Sequence, residues 1–483
     1  MAILGIDLGT SSVKVIVLDT QGQTLSVSKA DYEVMSLLPG WAESNPSEWW
    51  HATISAVQGA VAQAPHASIT AVGLSGQMHG VVPTDEQGQP TRAALLWADT
   101  RAEAELKRYR ALPPSLLPRL ANPLVPGMAG PLLCWLVDHE ASSYQGARWA
   151  LQPKDWLRLC LTDSIATDPS DASATLLYDL PADHWADDVI VALGLKRDLF
   201  APLIPSGALA GTLSARAAKA FGLSPGLPVA TGAGDTAAAA LGTGLLAPGS
   251  IQLSLGTGAQ LVQLCSEPRA DPTGRTHLYR AADGVNWYTM AAVQNAGLAL
   301  DWVRRTLGAS WDDVYKSVDA VAPGAEGLMF LPYLTRERAH HRNPHSSGAF
   351  LGMRIDHQRE HLLHAALEGV ALGIRVALEA LPGASKASAL RLAGGGSVDP
   401  AWRQMLADVL SRELLAVDVS TASAQGAALL GGIASGIWAD AAATASVAPR
   451  THVVAIPNTK QASAYDEVYA RYLRLSGATD AST

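Results

Sequence analysis

The feature that most constrains this chain is a strand, glycine turn, strand unit that occurs once in each half. Ile3 to Asp7 reads as a strand, Leu8-Gly9-Thr10-Ser11-Ser12 as a polar turn, and Lys14 to Leu18 as a second strand. Ile251 to Leu255, Gly256-Thr257-Gly258 and Ala259 to Leu264 repeat that order. β-Rich composition and short turns support a hairpin in both places. Asp19-Thr20-Gln21-Gly22 is a further turn and Gln23 to Lys29 a third strand, so the chain opens as a meander. That disfavours a βαβ dinucleotide fold, where a helix follows the first glycine loop. The repeat is one large, degenerate copy per half rather than a solenoid.

Between the two units, Asn45 or Ser47 is placed to cap a helix running to about Val61, with Pro46 at an early helical position. Ile69 to Leu74 reads as a buried strand with the polar loop Ser75-Gly76-Gln77-Met78-His79-Gly80 at its carboxyl end. Residues 100–110 and 131–142 read as helical. A second unit is expected from about residue 225, giving a division into 1–224 and 225–483. There Val229-Ala230-Thr231 is a short strand feeding Gly232-Ala233-Gly234-Asp235-Thr236, and an alanine-rich helix follows. Residues 422–436 form a glycine-spaced helix able to pack close to a neighbour.

Composition narrows the function classes. The 483 residues carry 35 Lys plus Arg against 44 Asp plus Glu, a net charge of −9 with no basic stripe, so phosphate-neutralising nucleic-acid binding is not expected. Three cysteines, Cys134, Cys160 and Cys265, are too few and too dispersed for a disulfide scaffold or structural zinc. His340, His341 and His345 are poorly spaced for a zinc site. The start lacks a basic segment followed by an apolar one, and no run reaches ~18 apolar residues, so a cytoplasmic protein with no membrane partner is expected.

The glycine turns carry the chemistry. Gly9, Thr10 and Ser11 offer backbone amides and hydroxyls to an anion, and so do Gly256 and Thr257. Facing each other across a cleft, the two loops can hold a polyphosphate, with Gly394-Gly395-Gly396 as a third glycine element. Asp7, at a strand end, can then orient Mg²⁺ through water, because that ion favours carboxylates plus phosphate oxygens. The plain alternative for each turn is a tight hairpin. The GxxxxGK pattern of a P-loop is absent. Asp235 is placed to accept a proton from a hydroxyl attacking phosphorus; its alternative role is to cap the helix that follows. His79 can donate to a sugar hydroxyl, or be purely structural. The tryptophans mostly read as core or rim, with Trp41 at an opening and Trp97 ending a strand near Asp99.

In sequence order these segments resemble the FGGY carbohydrate kinase family, nearly end to end. The resemblance is carried by Ile6-Asp7-Leu8-Gly9-Thr10-Ser11-Ser12, Trp41 to Trp50, Gly76-Gln77-Met78-His79-Gly80, Leu96-Trp97-Ala98-Asp99 and Pro153-Lys154-Asp155. It continues through Gly234-Asp235, Leu253 to Gly258, Phe330 to Leu334, Arg336-Glu337-Arg338, Asn343-Pro344, Gly348 to Gly352 and Gly394-Gly395-Gly396. It implies an α/β chain of two actin/hexokinase-like (ribonuclease H-like) domains, each a mixed five-stranded sheet flanked by helices, with a cleft between them. It implies phosphorylation of a sugar or polyol by ATP with Mg²⁺, and a homodimer as the plausible assembly. By the same resemblance Met78, His79, Trp97, Asp99 and Thr236 meet the sugar and Asp235 is the proton acceptor. Gly9, Thr10, Ser11, Gly256 and Thr257 hold the phosphates, Gly395 and Gly396 lie by the adenosine, and Asp7 serves the metal. D-Xylulose is the first expectation. Another ketopentose (D-ribulose, L-xylulose, L-ribulose), a polyol such as ribitol or arabitol, and a non-catalytic sugar-responsive ATP binder stay open. Thr236 stands where the xylulose-specific members have asparagine, Leu132 where a lysine is common, and Arg336-Glu337-Arg338-Ala339-His340 departs from Gly-Glu-Arg-Thr-Pro.

Overall fold

The computed structural model describes residues 1–335 and 347–481, with side chains through Ser476. The motif residues Arg336 to His340, Asn343-Pro344 and His345 lie outside the described residues. The opening meander is present as β1 (Ala2–Leu8), β2 (Ser12–Asp19) and β3 (Thr24–Asp31), each antiparallel to the next. Helix α1 (Pro46–Gln63) follows, its first turn capped by Asn45, whose side chain accepts from the Ser47 amide at 3.1 Å. Trp49, Ala52, Thr53, Ala56, Val57 and Ala60 recur at helical spacing and bury one face of α1 against β2 and β3.

Strand β4 (Ile69–Gly76) then pairs parallel to β1. Strands β5 (Leu209–Thr212), β6 (Pro228–Ala230) and β7 (Ala233–Gly234) complete the sheet, with β6 and β7 both pairing with β4. Here the structure departs from the expected second unit. The strand around Val229 and the segment delivering Asp235 extend the first sheet, so that sheet crosses the expected division at 224/225. The physical reason is the β4 edge, whose backbone groups from Val72 to Gly76 pair with these short parallel strands.

Helix α2 (Asp235–Gly242) leads to the second sheet. It contains β8 (Ile251–Leu255), β9 (Ala259–Cys265), β10 (His277–Arg280), β11 (Trp287–Val293), β12 (Ala389–Ala393), β13 (Glu413–Val417) and β14 (Thr451–Ala455). The first sheet runs β5-β6-β4-β1-β2-β3, with β7 off that path, and the second β10-β11-β9-β8-β12-β13-β14. Among the described residues each therefore has seven strands where five were expected. The central five, β6-β4-β1-β2-β3 and β13-β12-β8-β9-β11, share one pattern of parallel and antiparallel neighbours. The repeated glycine turns thus sit at equivalent corners of two equivalent sheets.

Two helices deserve placing. Helix α3 (Arg359–Ala380) is apolar and long enough to cross a membrane by length and composition, but most of it lies in the core beside the second sheet. Helix α4 (Ala422–Ala434) comes from the second half yet packs on β1, β4 and α2 of the first. Its backbone touches theirs: a Cβ on Gly73 would stand 1.7 Å from the Ala427 carbonyl oxygen, and one on Gly426 1.8 Å from that of Ala238.

Candidate active site

Asp7 closes β1 beside Ser75 of β4, whose hydroxyl donates to Asp7 Oδ1 at 2.8 Å. Burial pushes the Asp7 carboxyl above its ordinary range, with Ser75 and Lys14 opposing. The turn after it is tightly held. Gly9 N donates to Ser12 O at 3.0 Å, Gly9 O accepts from Gln77 Nε2 at 3.2 Å and from the Tyr32 hydroxyl, and Ser11 O accepts from Tyr32 N at 3.0 Å. Trp97 Nε1 donates to Thr10 Oγ1 at 2.9 Å, so the tryptophan reaches back to the loop.

Asp235 begins α2, at the end of β7. Its Oδ1 accepts from Thr236 N at 2.6 Å and from Thr236 Oγ1 at 3.2 Å. Burial, then the negative charge of Asp7, push this carboxyl up to about 7, while the Thr236 bonds pull the other way. The carboxylate is thus poised near neutrality, where a general base works best. Ser423, near the start of α4, donates its hydroxyl to Asp235 O at 3.2 Å; the Ser75 hydroxyl lies 3.2 Å from Ser423 O. Asp235 thus binds the amide of its own first turn while the charge of Asp7 acts on it.

Met78 and His79 follow β4 after Gln77. Gly234 leaves room for Met78: a Cβ there would stand 2.7 Å from Met78 Cγ. His79 takes a left-handed backbone, φ 74°, and its Nδ1 lies 2.8 Å from Ala174 O. Across from it, the second half supplies a wall of buried rings that the sequence reading did not identify. The Tyr279 ring is 5.8 Å from His79, His277 stacks on Tyr279, and the Tyr288 hydroxyl points at Met78 Sδ, 3.6 Å away. Only the register of β10 against β11, which puts Tyr279 opposite Tyr288, reveals this wall.

Asp99 stands apart from the expected sugar contacts. It is fully buried, its carboxylate accepting from Ala42 N at 2.7 Å and from the Arg101 amide and guanidinium at 2.8–3.0 Å. Both oxygens are committed, so Asp99 fixes Arg101, which lies 3.6 Å from the centre of the Trp41 ring. Trp41 and Arg101 were not separable from rim residues in the sequence.

A cavity of about 520 Å³ is lined by Gly256, Thr257, Gly395 and Gly396 together with Trp311, Tyr315 and Trp402. The two glycine elements of the second half are thus brought together. Trp311 and Tyr315 stack at 5.7 Å, and the exposed glycines lie beside apolar walls. That combination suits a nucleoside with a phosphate chain.

Family models decide what this pair of sites belongs to: the N-terminal and C-terminal domains of the FGGY family of carbohydrate kinases match residues 2–242 and 251–435. The chain belongs to that family. As a member it phosphorylates a carbohydrate with ATP. It is 34% identical over 413 residues to a xylulose kinase of Escherichia coli (strain K12), covering 85% of each chain. It superposes on a xyloylose kinase from Brucella ovis with a TM-score of 0.93 at 33% identity, covering 100% of both. It is also 28% identical over 493 residues to a gluconokinase of Bacillus licheniformis, covering 99% of this chain and 96% of that one. The two-domain kinase fold expected from sequence is therefore the fold found.

Proposed function

We propose that this kinase phosphorylates D-xylulose on its C5 hydroxyl, giving D-xylulose 5-phosphate and ADP, with Asp235 as the base. The observation that carries the reading is the Asp235 carboxylate, lifted to about 7 at the head of α2, beside Asp7 and above the Met78-His79 turn. The sugar hydroxyl attacks the γ-phosphorus in line, its proton passes to Asp235, and the bond to the bridging oxygen of ADP breaks. Met78 and His79 face the sugar, Trp97 braces Thr10, and Thr236 holds the base. Gly9, Thr10, Ser11, Gly256 and Thr257 meet the phosphates, and Gly395 and Gly396 the adenosine. Asp99 acts at one remove, by fixing Arg101 against Trp41.

The acidic pair also fits Mg²⁺. Burial raises the Asp7 carboxyl against the Ser75 hydroxyl and the Lys14 charge, its own charge reaches Asp235, and among the described residues no cluster of three or more His, Cys, Asp or Glu offers an all-protein cage. That is the donor set magnesium takes when phosphates supply the remaining oxygens. Asp7 would hold the ion, directly or through water, and the ion would neutralise charge on the transferring phosphates.

The named relatives support xylulose, while Thr236 supports a second reading. Its hydroxyl is bound to Asp235, so it does not offer the sugar the amide fork of an asparagine. Another ketopentose, a polyol or gluconate then fits the same base. A coupled ADP-release assay across D-xylulose, D-ribulose, L-xylulose, L-ribulose, ribitol, D-arabitol, glycerol and gluconate separates these. A kcat/KM for D-xylulose at least tenfold above the rest supports the first reading, and a preference for any other compound replaces it. In the same assay Asp235→Asn is expected to bind sugar and lose nearly all kcat; retained turnover removes Asp235 as the base. The working form proposed is a cytoplasmic homodimer, which light scattering of the purified chain tests.

A further inference from the structure

Behind the catalytic aspartate lies a group of charges that the reaction itself does not use. Lys154, Asp155, Arg158, Asp168 and Asp171 are all fully buried. Lys154 Nζ lies 2.6 Å from Asp155, 2.9 Å from Asp168 and 3.3 Å from Asp171, and Arg158 pairs with Asp155 at 2.7 Å. Two cations against three carboxylates is costly to bury, and such groups are kept for what they hold in place.

What they hold is the strand that delivers Asp235. Arg158 Nη1 donates to Thr231 O at 3.0 Å. Gly232 N donates to Ser206 O at 3.0 Å, and the Ser206 hydroxyl donates to Asp168 Oδ2 at 2.6 Å. Gly234 N donates to Ser170 Oγ at 3.0 Å, and that hydroxyl spends its one proton on Asp168 Oδ2 at 2.5 Å. Three backbone polar atoms within four residues of the base, Thr231 O, Gly232 N and Gly234 N, therefore end, directly or through one serine, on the buried charges. β7 is only two residues long and pairs with β4 at Ser75 and Gly76 alone, so it has little hold of its own. The same cluster touches the opposite wall, since a Cβ on Gly76 would meet Lys154 Cβ at 3.0 Å. Gly234 in turn rests on Met78, so a shift of the strand would move base and sugar pocket together.

We propose that Ser170 and Asp168 are positioning residues for phosphoryl transfer: through the Gly234 amide they anchor the strand that sets Asp235 against Met78 and the sugar. This rests on the reading of Asp235 as the base. The relay is polarised in one direction, from the Gly234 N–H through the Ser170 hydroxyl to a carboxylate neutralised by Lys154, and charge-assisted bonds of this kind are the stronger ones. It acts on geometry, where a displacement of about 1 Å costs roughly 100-fold in rate. The nucleotide cavity shares no residue with it.

The test compares Ser170→Ala, Ser170→Thr and Asp235→Asn in the full chain, reading kcat, KM for ATP and for the preferred sugar, and Tm. Ser170→Ala is expected to lower kcat 10- to 100-fold with KM for ATP within twofold and little loss of Tm, and Ser170→Thr, which keeps the hydroxyl, to recover at least a third of the wild-type kcat. Ser170→Ala with wild-type kcat, while Asp235→Asn is inactive, overturns the positioning role and leaves the base in place. Turnover retained in Asp235→Asn instead overturns the base, whatever Ser170→Ala does. Should Ser170→Ala fail to fold, hydrogen exchange of the wild-type protein over residues 231–236 decides. Protection matching β4 supports the anchor, and exchange at the rate of an open loop refutes it.

Discussion

Replacing Asp235 with asparagine is expected to stabilise the ligand-free protein while abolishing turnover, and the stabilisation should grow with pH. Its carboxyl is raised from an ordinary 3.8 to about 7 by burial and by Asp7. A raised carboxyl means that the folded state favours the neutral acid. The stability this gives is fully present below 3.8 and is lost as pH rises through about 7. Asparagine imitates the neutral acid at every pH, so the gap between variant and wild type opens above 3.8, where the unfolded carboxyl ionises and the folded one does not, and levels off above about 7. At ~1.4 kcal/mol per pH unit the gap is about 1.7 kcal/mol at pH 5 and about 4 kcal/mol at pH 8. With an unfolding entropy of ~2.1 cal/mol/K per residue, the whole chain changes by about 1 kcal/mol for each degree. Tm should therefore rise by roughly 2 °C at pH 5 and roughly 4 °C at pH 8. Scanning calorimetry of both proteins without Mg²⁺ or nucleotide, at pH 5, 6, 7 and 8, measures this. A gap that stays flat with pH, or a variant less stable than wild type at pH 8, would refute the view that this carboxylate is held charged against its surroundings.

Three further outcomes follow from other contacts. Trp97→Phe removes the bond to Thr10 Oγ1, worth ~1 kcal/mol, and should lower kcat/KM about fivefold in the coupled assay with Tm nearly unchanged. Lys154→Met leaves buried Asp155 and Asp168 without their shared cation, so a loss of ~3–5 kcal/mol is expected, read as a fall in the denaturant midpoint. Trp311→Ala should raise KM for ATP at least tenfold while KM for the sugar stays within twofold, because Trp311 lines the cavity proposed for the nucleotide.

Much of this architecture was legible because it is local. The strands on either side of Gly9-Thr10 and of Gly256-Thr257 pair across a short turn, and Asn45-Pro46 marks the start of α1 within two residues. The repeated turn correctly pointed to two equivalent units. What failed to show was pairing at a distance. Nothing in Val229 to Gly234 says which sheet it joins; the open edge of β4 decides that, and it lies about 150 residues earlier. The aromatic wall depends on the register of β10 with β11, and the charge cluster on bringing Lys154 next to Asp168 and Asp171. Asp99 illustrates the opposite error. The Leu96-Trp97-Ala98-Asp99 motif brings Trp97 to the Thr10 loop, but whether its carboxylate faces outward or a neighbouring arginine is settled by packing.

Helix α4 bears on how the protein is made. The groove along β1, β4 and α2 is lined by bare backbone at Gly5, Gly73 and Gly242, shaped for one helix that begins 180 residues after α2 ends. At ~5–20 residues per second a ribosome reaches that helix roughly 10–40 s later. Until then the first half has emerged but its own core is missing a wall. It follows that the boundary between the two family segments is not a boundary of folding, and that residues 2–242 expressed alone should not be stable. A circular permutant that places α4 ahead of Ala2 would complete the first half during synthesis.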